Sequence, residues 1–420
     1  MTAPLFEQHS AAQGGNTMNP IVAQGFTKFK VLTLVVTNRC NLRCQYCYQD
    51  RSDKEEMTWE IAEPAIDLLL DAAAYRRKEG KGPGSARIVF YGGEPLLNES
   101  IIRRSVAHAE AARERVPYIS YELLTNGLLL DREKIEFYVQ YGFDLQLSFD
   151  GVPEAQNDRG LHTFEKLDRA LNLLAEHPRF YRRNLRISLT ITSRNIPYLA
   201  ESIAYFRRKG IARVSIEPVT TFDGGWTRER LDEIERQIEA VYQFELARFR
   251  KTGRHFVDNF VPTEETGTPY SPKYECGAGA GSNISVDPYG EMTGCTFFLR
   301  YLRRWNMPLL DRETPADRGN IRNLENAIDE RTYERLVYKE SRFWAFKHEK
   351  HTPDEDCNLC PHKTECHGCP LSAGYLPDND DPTLIPRWVC RFNKAVLPRR
   401  YAFAQLYRSA NRHPAAFPVA

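Results

Sequence analysis

An α/β fold on a parallel sheet is what this chain predicts, and three observations carry it. Short β-branched and leucine-rich runs alternate with amphipathic stretches six times within about 190 residues. The loops after those runs gather cysteine, glycine and acidic residues, which is where open α/β sheets carry their functional groups. From Cys276 onward the texture changes: cysteine, glycine and proline thicken and regular periodicity shortens. That change predicts a second, smaller α+β region.

The units follow in order. Residues 31–36 form an apolar run that ends just before Cys40, a strand leading into a cysteine loop. Residues 58–77 read as a helix with Ile61, Ala65, Leu68, Leu69 and Ala72 on one face. Strands are predicted at 87–91, 118–124, 145–149, 185–191 and 213–218, and helices at 101–115, 132–141, 163–176 and 197–209. Six units fall short of the eight of a closed barrel. Residues 227–250 read as one long bridging helix, 285–295 as a hairpin around Pro288-Tyr289-Gly290, and 323–347 as a helix. Residues 391–412 hold six basic residues and no acid, which reads as a solvated basic helix.

Composition bounds the function. Of 420 residues, 42% are apolar and 27% charged, ordinary for a soluble globular chain with two or three domains. Lys plus Arg number 57 and Asp plus Glu 56, so no global charge draws the chain to nucleic acid or an anionic membrane. No run approaches the ~18 apolar residues of a membrane span, and residues 1–19 do not read as a secretory signal. Ten cysteines without an export signal imply a reducing, cytoplasmic setting in which thiols hold metal rather than pair.

The chemistry begins at Cys40-x3-Cys44-x2-Cys47. Thiolates are soft ligands that suit iron–sulfur clusters or zinc. A closed zinc site wants four ligands, and no histidine stands close by to complete these three. Three thiolates on four irons leave one iron open to a substrate. This spacing, with Tyr46 just before the third cysteine, resembles the radical S-adenosylmethionine (SAM) enzymes; a zinc knuckle is the plain alternative. The resemblance implies a six-unit partial TIM-like barrel and an open iron chelated by SAM, which is cleaved to a 5′-deoxyadenosyl radical. Forty-five residues past Cys47, Gly92-Gly93-Glu94-Pro95 is similar to the family's motif for the methionine amino group. Ser148-Phe149-Asp150-Gly151 resembles a further part of that pocket, although Asp150 serves equally well as a turn cap. Thr125-Asn126-Gly127 and Thr192 stand in family-like places, with plain turn residues an equal reading. The family's His-Asp pair is missing: here the chain reads Gln156-Asn157-Asp158-Arg159.

The remaining seven cysteines are Cys276, Cys295, Cys357, Cys360, Cys366, Cys369 and Cys390. Their order resembles the SPASM extension, which holds two auxiliary 4Fe–4S clusters; three plus seven accounts for all ten thiols. A zinc ribbon would explain only Cys357 to Cys369. The resemblance assigns Cys357, Cys360, Cys366 and Cys390 to an outer cluster and Cys276, Cys295 and Cys369 to an inner one. The family commonly spaces the last close pair by three residues, against two in Cys366-His367-Gly368-Cys369. Seven thiols for two clusters leave one inner iron to another ligand, such as Glu275, water or substrate. The expected layout is a tail at 1–25, partial barrel at 26–225, linker at 226–270, SPASM region at 271–395 and basic C-terminal helix or tail at 396–420.

SPASM-bearing relatives act mostly on peptides. The resemblance therefore implies a peptide maturase that takes a ribosomally made precursor and forms a thioether or carbon–carbon crosslink. A reductant such as flavodoxin or ferredoxin is implied as partner. Only about 30 residues flank the region on either side, too few for a fused leader-binding domain of at least ~50 residues, so a separate leader-binding protein or the barrel surface is expected to serve. Sulfatase-maturing enzymes and small-molecule SPASM dehydrogenases are the rivals. In the former an aspartate usually follows the position of Cys295; here Thr296 does. Residues 270–275 hold acid–base candidates by proximity to Cys276 alone.

Overall fold

The structure, a computed structural model, describes residues 28–50, 52–261, 281–299, 319–322, 349–353, 355–363, 365–366 and 369–412. The expected tail, the helix at 323–347, Cys276 and the 270–275 candidates lie outside the described residues.

Six strands pair parallel, each with the next in chain order: β1 (Val31–Thr37), β2 (Ala86–Gly92), β3 (Ile119–Thr125), β4 (Asp144–Ser148), β5 (Leu185–Ile191) and β6 (Val214–Pro218). Each lies within one residue of its sequence-predicted bounds. Between them run α1 (Trp59–Lys78), α2 (Glu99–Ala111), α3 (Arg132–Gln140), α4 (Pro153–Gln156), α5 (Phe164–Ala175), α6 (Pro178–Arg183) and α7 (Leu199–Arg208), with α8 (Arg228–Thr252) after β6. Helix α2 ends four residues early, because single turns closed by Ala112 and Glu110 carbonyls run on ahead of Pro117. Helices α4 and α6 are not anticipated by the sequence reading. Each is a turn or two opened by a proline, too short to show a period.

Alternation along the strands sorts the two faces of the sheet. Leu145 and Leu147 of β4 and Leu185, Ile187, Leu189 and Ile191 of β5 are buried in the main core with the helices. Their neighbours Gln146, Ser148, Arg186, Ser188 and Thr190 are half-buried on the other face. That face is polar: Arg87 pairs with Glu122 and Asp144 at 2.9 Å each, and Arg186 reaches Glu122 at 3.5 Å.

The eight-stranded sheet runs β6-β5-β4-β3-β2-β1-β7-β8. The anticipated hairpin is present as β7 (Asn283–Val286) and β8 (Met292–Thr293), but β7 also adds in parallel to the free edge of β1. An open strand edge carries unpaired amides, and β7 satisfies those of β1. At the other end of the sheet, α9 (Arg387–Arg412) packs against α8. The expectation of a solvated basic helix is corrected here. Trp388, Val389, Phe392, Ala395, Val396 and Phe403 are buried in the main core, while Arg399 bridges Glu235 and Glu239 on α8. Arg391 is exposed, but Arg399 and Arg400 are half-buried on the packed side, where Arg400 donates to the Asn259 carbonyl at 2.8 Å. No helix among the described residues is long and apolar enough to cross a membrane.

Helix α8 holds a titratable group inside the core. Glu245 is fully buried and accepts the Phe256 N–H at 2.7 Å; burial pushes its carboxyl up to about 7. A carboxyl raised on folding stabilises the fold when protonated. That contribution is whole below its unfolded pKa of about 4.3 and is lost as pH rises through about 7. Urea melts across this window should show the parent losing up to roughly 3 kcal/mol from this group, and Glu245→Gln should flatten that slope. An equal slope in both proteins would show that Glu245 does not titrate on unfolding.

Candidate active site

The cysteine loop follows β1 and rests on the C-terminal ends of the neighbouring strands. Gly92 and Gly93 make room for it. A Cβ on Gly92, at φ +150°, would stand 2.3 Å from the Thr37 carbonyl oxygen, and one on Gly93 2.1 Å from that of Arg39. The Gly93 and Glu94 N–H groups donate to those same two carbonyls at 2.9 and 2.8 Å. The pair of glycines thus meets the backbone leading into the thiols.

Glu94 is fully buried. Its carboxylate accepts from the Thr125 hydroxyl at 2.6 Å, the Asn126 N–H at 2.8 Å and the Leu96 N–H at 3.1 Å. Burial pushes it up to about 7 against these three donors. It ties the end of β2 to the end of β3. Asn126 carries the tie onward, donating to Asn41 Oδ1 at 2.7 Å and approaching Cys40 Sγ at 3.9 Å.

Across the sheet, the Tyr46 hydroxyl donates to Asp150 Oδ2 at 2.6 Å, and Arg159 meets Asp150 Oδ1 at 3.0 Å. The guanidinium also lies over the Tyr46 ring, 5.4 Å from its centre. Asp150 accepts the Thr190 N–H at 2.9 Å, while its own N–H donates to Gln156. Burial pushes its carboxyl above the usual range, and Arg159, Tyr46 and Thr190 pull it back. Asp158 receives the Gln45 N–H on its carbonyl and the Thr192 hydroxyl on its carboxylate at 2.5 Å. The segment Gln156 to Arg159, where the family's pair is missing, therefore supplies three anchors of the site. Ser148 stands half-buried on the polar face of β4.

Residues present here fit a cofactor in two ways. None of the nine described cysteines is in a disulfide, and Cys40, Cys44 and Cys47 lie within electrostatic reach of one another. Burial pushes the Cys44 thiol up to about 12, with Arg159 pulling the other way, so metal is what would ionise it. Beside the loop, Asn38 is 3% exposed with neither amide atom hydrogen-bonded among the described residues, and Arg159 Nε is buried with no hydrogen bond among them. Orphaned polar groups of this kind call for a bound partner.

The second thiol group is farther off. Cys357, Cys360, Cys366 and Cys390 line a cavity with about 430 Å³ of empty space, part of it open to solvent. This is the foursome expected for an outer cluster. The short Cys366-to-Cys369 spacing does not remove Cys366 from it, and Cys369 is not on the lining. Among the described residues no three His, Cys, Asp or Glu side chains converge closely enough to hold a single metal ion. Cys295 stands nearer the first loop. Tyr91 lies within electrostatic reach of both Cys47 and Cys295 and shares a 2.5 Å hydroxyl contact with Tyr48. The Tyr48 ring stacks on Phe297 at 4.3 Å, and Phe297 meets Tyr375, at the end of the turn that follows Cys369.

A thiol loop at the strand ends of a six-unit α/β sheet, walled by a Gly-Gly-Glu turn, defines the class. Residues 34–181 match the family model of the radical SAM superfamily, and the chain carries a radical SAM domain. It is 24% identical over 290 residues to the radical SAM cyclopropyl synthase TigE of Paramaledivibacter caminithermalis, covering 64% of this chain and 57% of TigE. It is 27% identical over 275 residues to the PqqA peptide cyclase of Gluconobacter oxydans, covering 62% and 68%. Identity to the serine-type anaerobic sulfatase-maturating enzyme of Klebsiella aerogenes is 27% over 308 residues, covering 69% and 71%. An uncharacterized Methanocaldococcus jannaschii protein is matched over 62% of its length, so this chain spans less than two thirds of that protein and of TigE. Among solved structures, anSMEcpe with bound AdoMet and Cp18Cys peptide superposes with a TM-score of 0.65 at 19% identity, over 90% of this chain and 99% of that one. Streptococcus suis SuiB bound to precursor peptide SuiA gives 0.53 at 15%, over 92% and 84%. These likenesses show the shared fold.

Asp150 is the buried junction of the site, and removing it strands a buried guanidinium. Asp150→Ala should cost about 3–5 kcal/mol in urea melts, and Tyr46→Phe about 1.5–3 kcal/mol. A smaller loss for Asp150→Ala than for Tyr46→Phe would show that the ion pair does not hold this junction.

Proposed function

We propose that the chain is a radical SAM maturase that acts on a ribosomally made peptide and forms a crosslink within it. The observation that supports this most is the trio Cys40, Cys44 and Cys47, set beside an orphaned amide on Asn38 at the ends of β1 to β5. In this reading the three thiols hold a 4Fe–4S cluster with SAM on its open iron. That pair supplies a 5′-deoxyadenosyl radical on one-electron reduction. Ser148 and the glycine turn line the SAM pocket. Glu94, Asp150 and Thr192, whose side-chain oxygens already serve protein donors or the Asp158 carboxylate, position its walls. Tyr46 holds the loop in register with β4. The apolar wall of Val35, Leu299, Tyr48 and Tyr91 helps exclude water from the radical.

Peptide substrates are supported by the similarity to the PqqA peptide cyclase and by the fold shared with SuiB, solved with a precursor peptide. Formylglycine formation is the second reading, favoured by the Klebsiella aerogenes relative and by the fold of anSMEcpe. Thr296, standing where an aspartate is usual in such enzymes, weighs against it. Two auxiliary clusters, the outer one on Cys357, Cys360, Cys366 and Cys390, complete the proposal. Flavodoxin or ferredoxin would supply the electron.

Reconstituted anaerobically, the parent should release 5′-deoxyadenosine from SAM and dithionite. The variant with all of Cys40, Cys44 and Cys47 changed to Ala should release none while keeping iron at the other thiols. Parent-rate release from that variant would end the assignment. On a precursor peptide, a crosslink should appear by mass spectrometry as loss of two hydrogens, with no carbonyl to trap and fragmentation suppressed between the joined residues. A product on a sulfatase-derived peptide that a hydrazine or hydroxylamine probe traps as an aldehyde would favour the second reading.

A further inference from the structure

The end of the sheet opposite the thiol loop carries a block of unpaired cations. Arg182 and Arg183 close α6, Arg207 and Arg208 close α7, and Arg250 and Arg254 flank the end of α8. All six are exposed. Helices α6 and α7 end just ahead of β5 and β6, and Val257, just past α8, bridges Val214 at the start of β6. The three helix ends also touch one another. The Tyr181 hydroxyl donates to the Lys209 carbonyl at 2.9 Å, and Arg207 lies over the Phe244 ring of α8, 4.5 Å from its centre. The carboxylates nearby are taken: Asp168 pairs with Lys209 at 2.5 Å, Asp258 with Arg213 at 3.0 Å and Glu176 with Arg132 at 2.6 Å. None of the six arginine side chains has an ion pair or a hydrogen bond among the described residues. Half-buried Arg248 registers the crowding. Burial pulls its guanidinium below the usual range against Glu245, and Arg207 and Arg254 pull the same way.

Cations at helix C-termini offset the macrodipole, so their presence alone says little. The other half of the same sheet end differs. Beneath β1 to β3 the arginines are used inside the fold: Arg76 donates to the Phe29 and Ser85 carbonyls, Arg77 to those of Glu114 and Arg115, and Arg113 to that of Pro117. Beneath β5 and β6 the six guanidinium groups reach no carbonyl among the described residues. With 57 basic and 56 acidic residues in the chain, this block is a local field and not a global one. Planar guanidinium forks suit carboxylates. We propose that this face binds an acidic segment of the peptide substrate, outside the stretch that is modified. This rests on the peptide-maturase reading and names a charge pattern for that substrate. An electron carrier serving the first loop would have to approach Cys40, Cys44 and Cys47, which lie at the other end of the strands. None of the aromatic rings at the three helix ends is exposed, which leaves none for nucleic-acid bases to stack on. Strand β5 spans ~20 Å at ~3.3 Å per residue, so at least about six extended residues separate the acidic segment from the residue that reacts.

The test uses the full chain and a short fluorescein-labelled peptide of alternating Glu and Ser, followed by fluorescence anisotropy at low salt. A peptide of alternating Gln and Ser is the neutral control. The Glu peptide should bind and the Gln peptide should not. Arg182→Glu with Arg208→Glu should weaken binding about tenfold or more, as should Arg250→Glu with Arg254→Glu. Lys78→Glu with Lys81→Glu makes the same charge change on exposed lysines at the end of α1 and should weaken binding less than about twofold. No binding of the Glu peptide, or an equal loss in the α1 variant, overturns the proposal. So does duplex DNA that binds more tightly than the Glu peptide and loses affinity in the same variants. With the precursor peptide, Arg182→Glu with Arg208→Glu should raise KM about tenfold and leave kcat and peptide-free cleavage of SAM unchanged. An unchanged KM overturns the proposal. A parent that binds the Glu peptide yet releases no 5′-deoxyadenosine supports the binding face and overturns the maturase reading alone.

Discussion

One buried charge pair fixes where the thiols of the first loop can stand. Asp150 and Arg159 lie at the end of β4 and in the turn after α4, both out of solvent, and Tyr46 reaches them from the cysteine loop. A loop of closely spaced thiols has no side chains with which to build a core of its own. Its sulfurs repel one another once ionised. It therefore needs to be held from outside, and the hold is polar. Tyr46 bonds to Asp150, Gln45 to the Asp158 carbonyl, and Thr221 to the Tyr46 carbonyl at 3.1 Å. Such a network is worth having only when complete, since one missing partner leaves a buried charge unpaired. From beneath, the backbone contact of Gly92 and Gly93 with Thr37 to Arg39 does the same by exclusion: no side chain fits between them.

The fold was legible where the physics is local. Strand alternation is a property of neighbours, so β1 to β6 read out within a residue. The closely spaced thiols were conspicuous for a related reason, since soft ligands at fixed spacing point to metal before any fold is known. What was not legible depends on partners far apart in the chain. Nothing near Asn283 says that β7 will pair with β1, some 250 residues earlier. Glu94 reads as an acid beside a ligand. Only the fold shows that its oxygens are met by Thr125, Asn126 and Leu96. Arg159 sat where the family pattern runs on to an arginine, but without the His-Asp pair before it the alignment had nothing to fix it, and only the fold shows that it anchors the site. The basic C-terminal stretch misled through composition: its charges are conspicuous in sequence, and its buried apolar stripe shows only once α8 is there to receive it.

These long-range contacts explain how the two cysteine-rich parts of the chain keep a fixed relation to the first loop. The C-terminal region is attached at both ends of the sheet. At one end β7 lies against β1, the strand that delivers Cys40. At the other, α9 packs on α8, and Trp388 donates its indole N–H to the Val219 carbonyl at 2.7 Å, just past β6. Cys390 stands two residues along that same helix, so the wall of the outer cavity is anchored to the barrel through a buried tryptophan. Cys295 follows β8 by two residues, and Tyr91, within electrostatic reach of both it and Cys47, touches Tyr48, which stacks on Phe297. A sheet gripped at both edges, by β7 and by α9, fixes where the segments that carry the two thiol sets leave it.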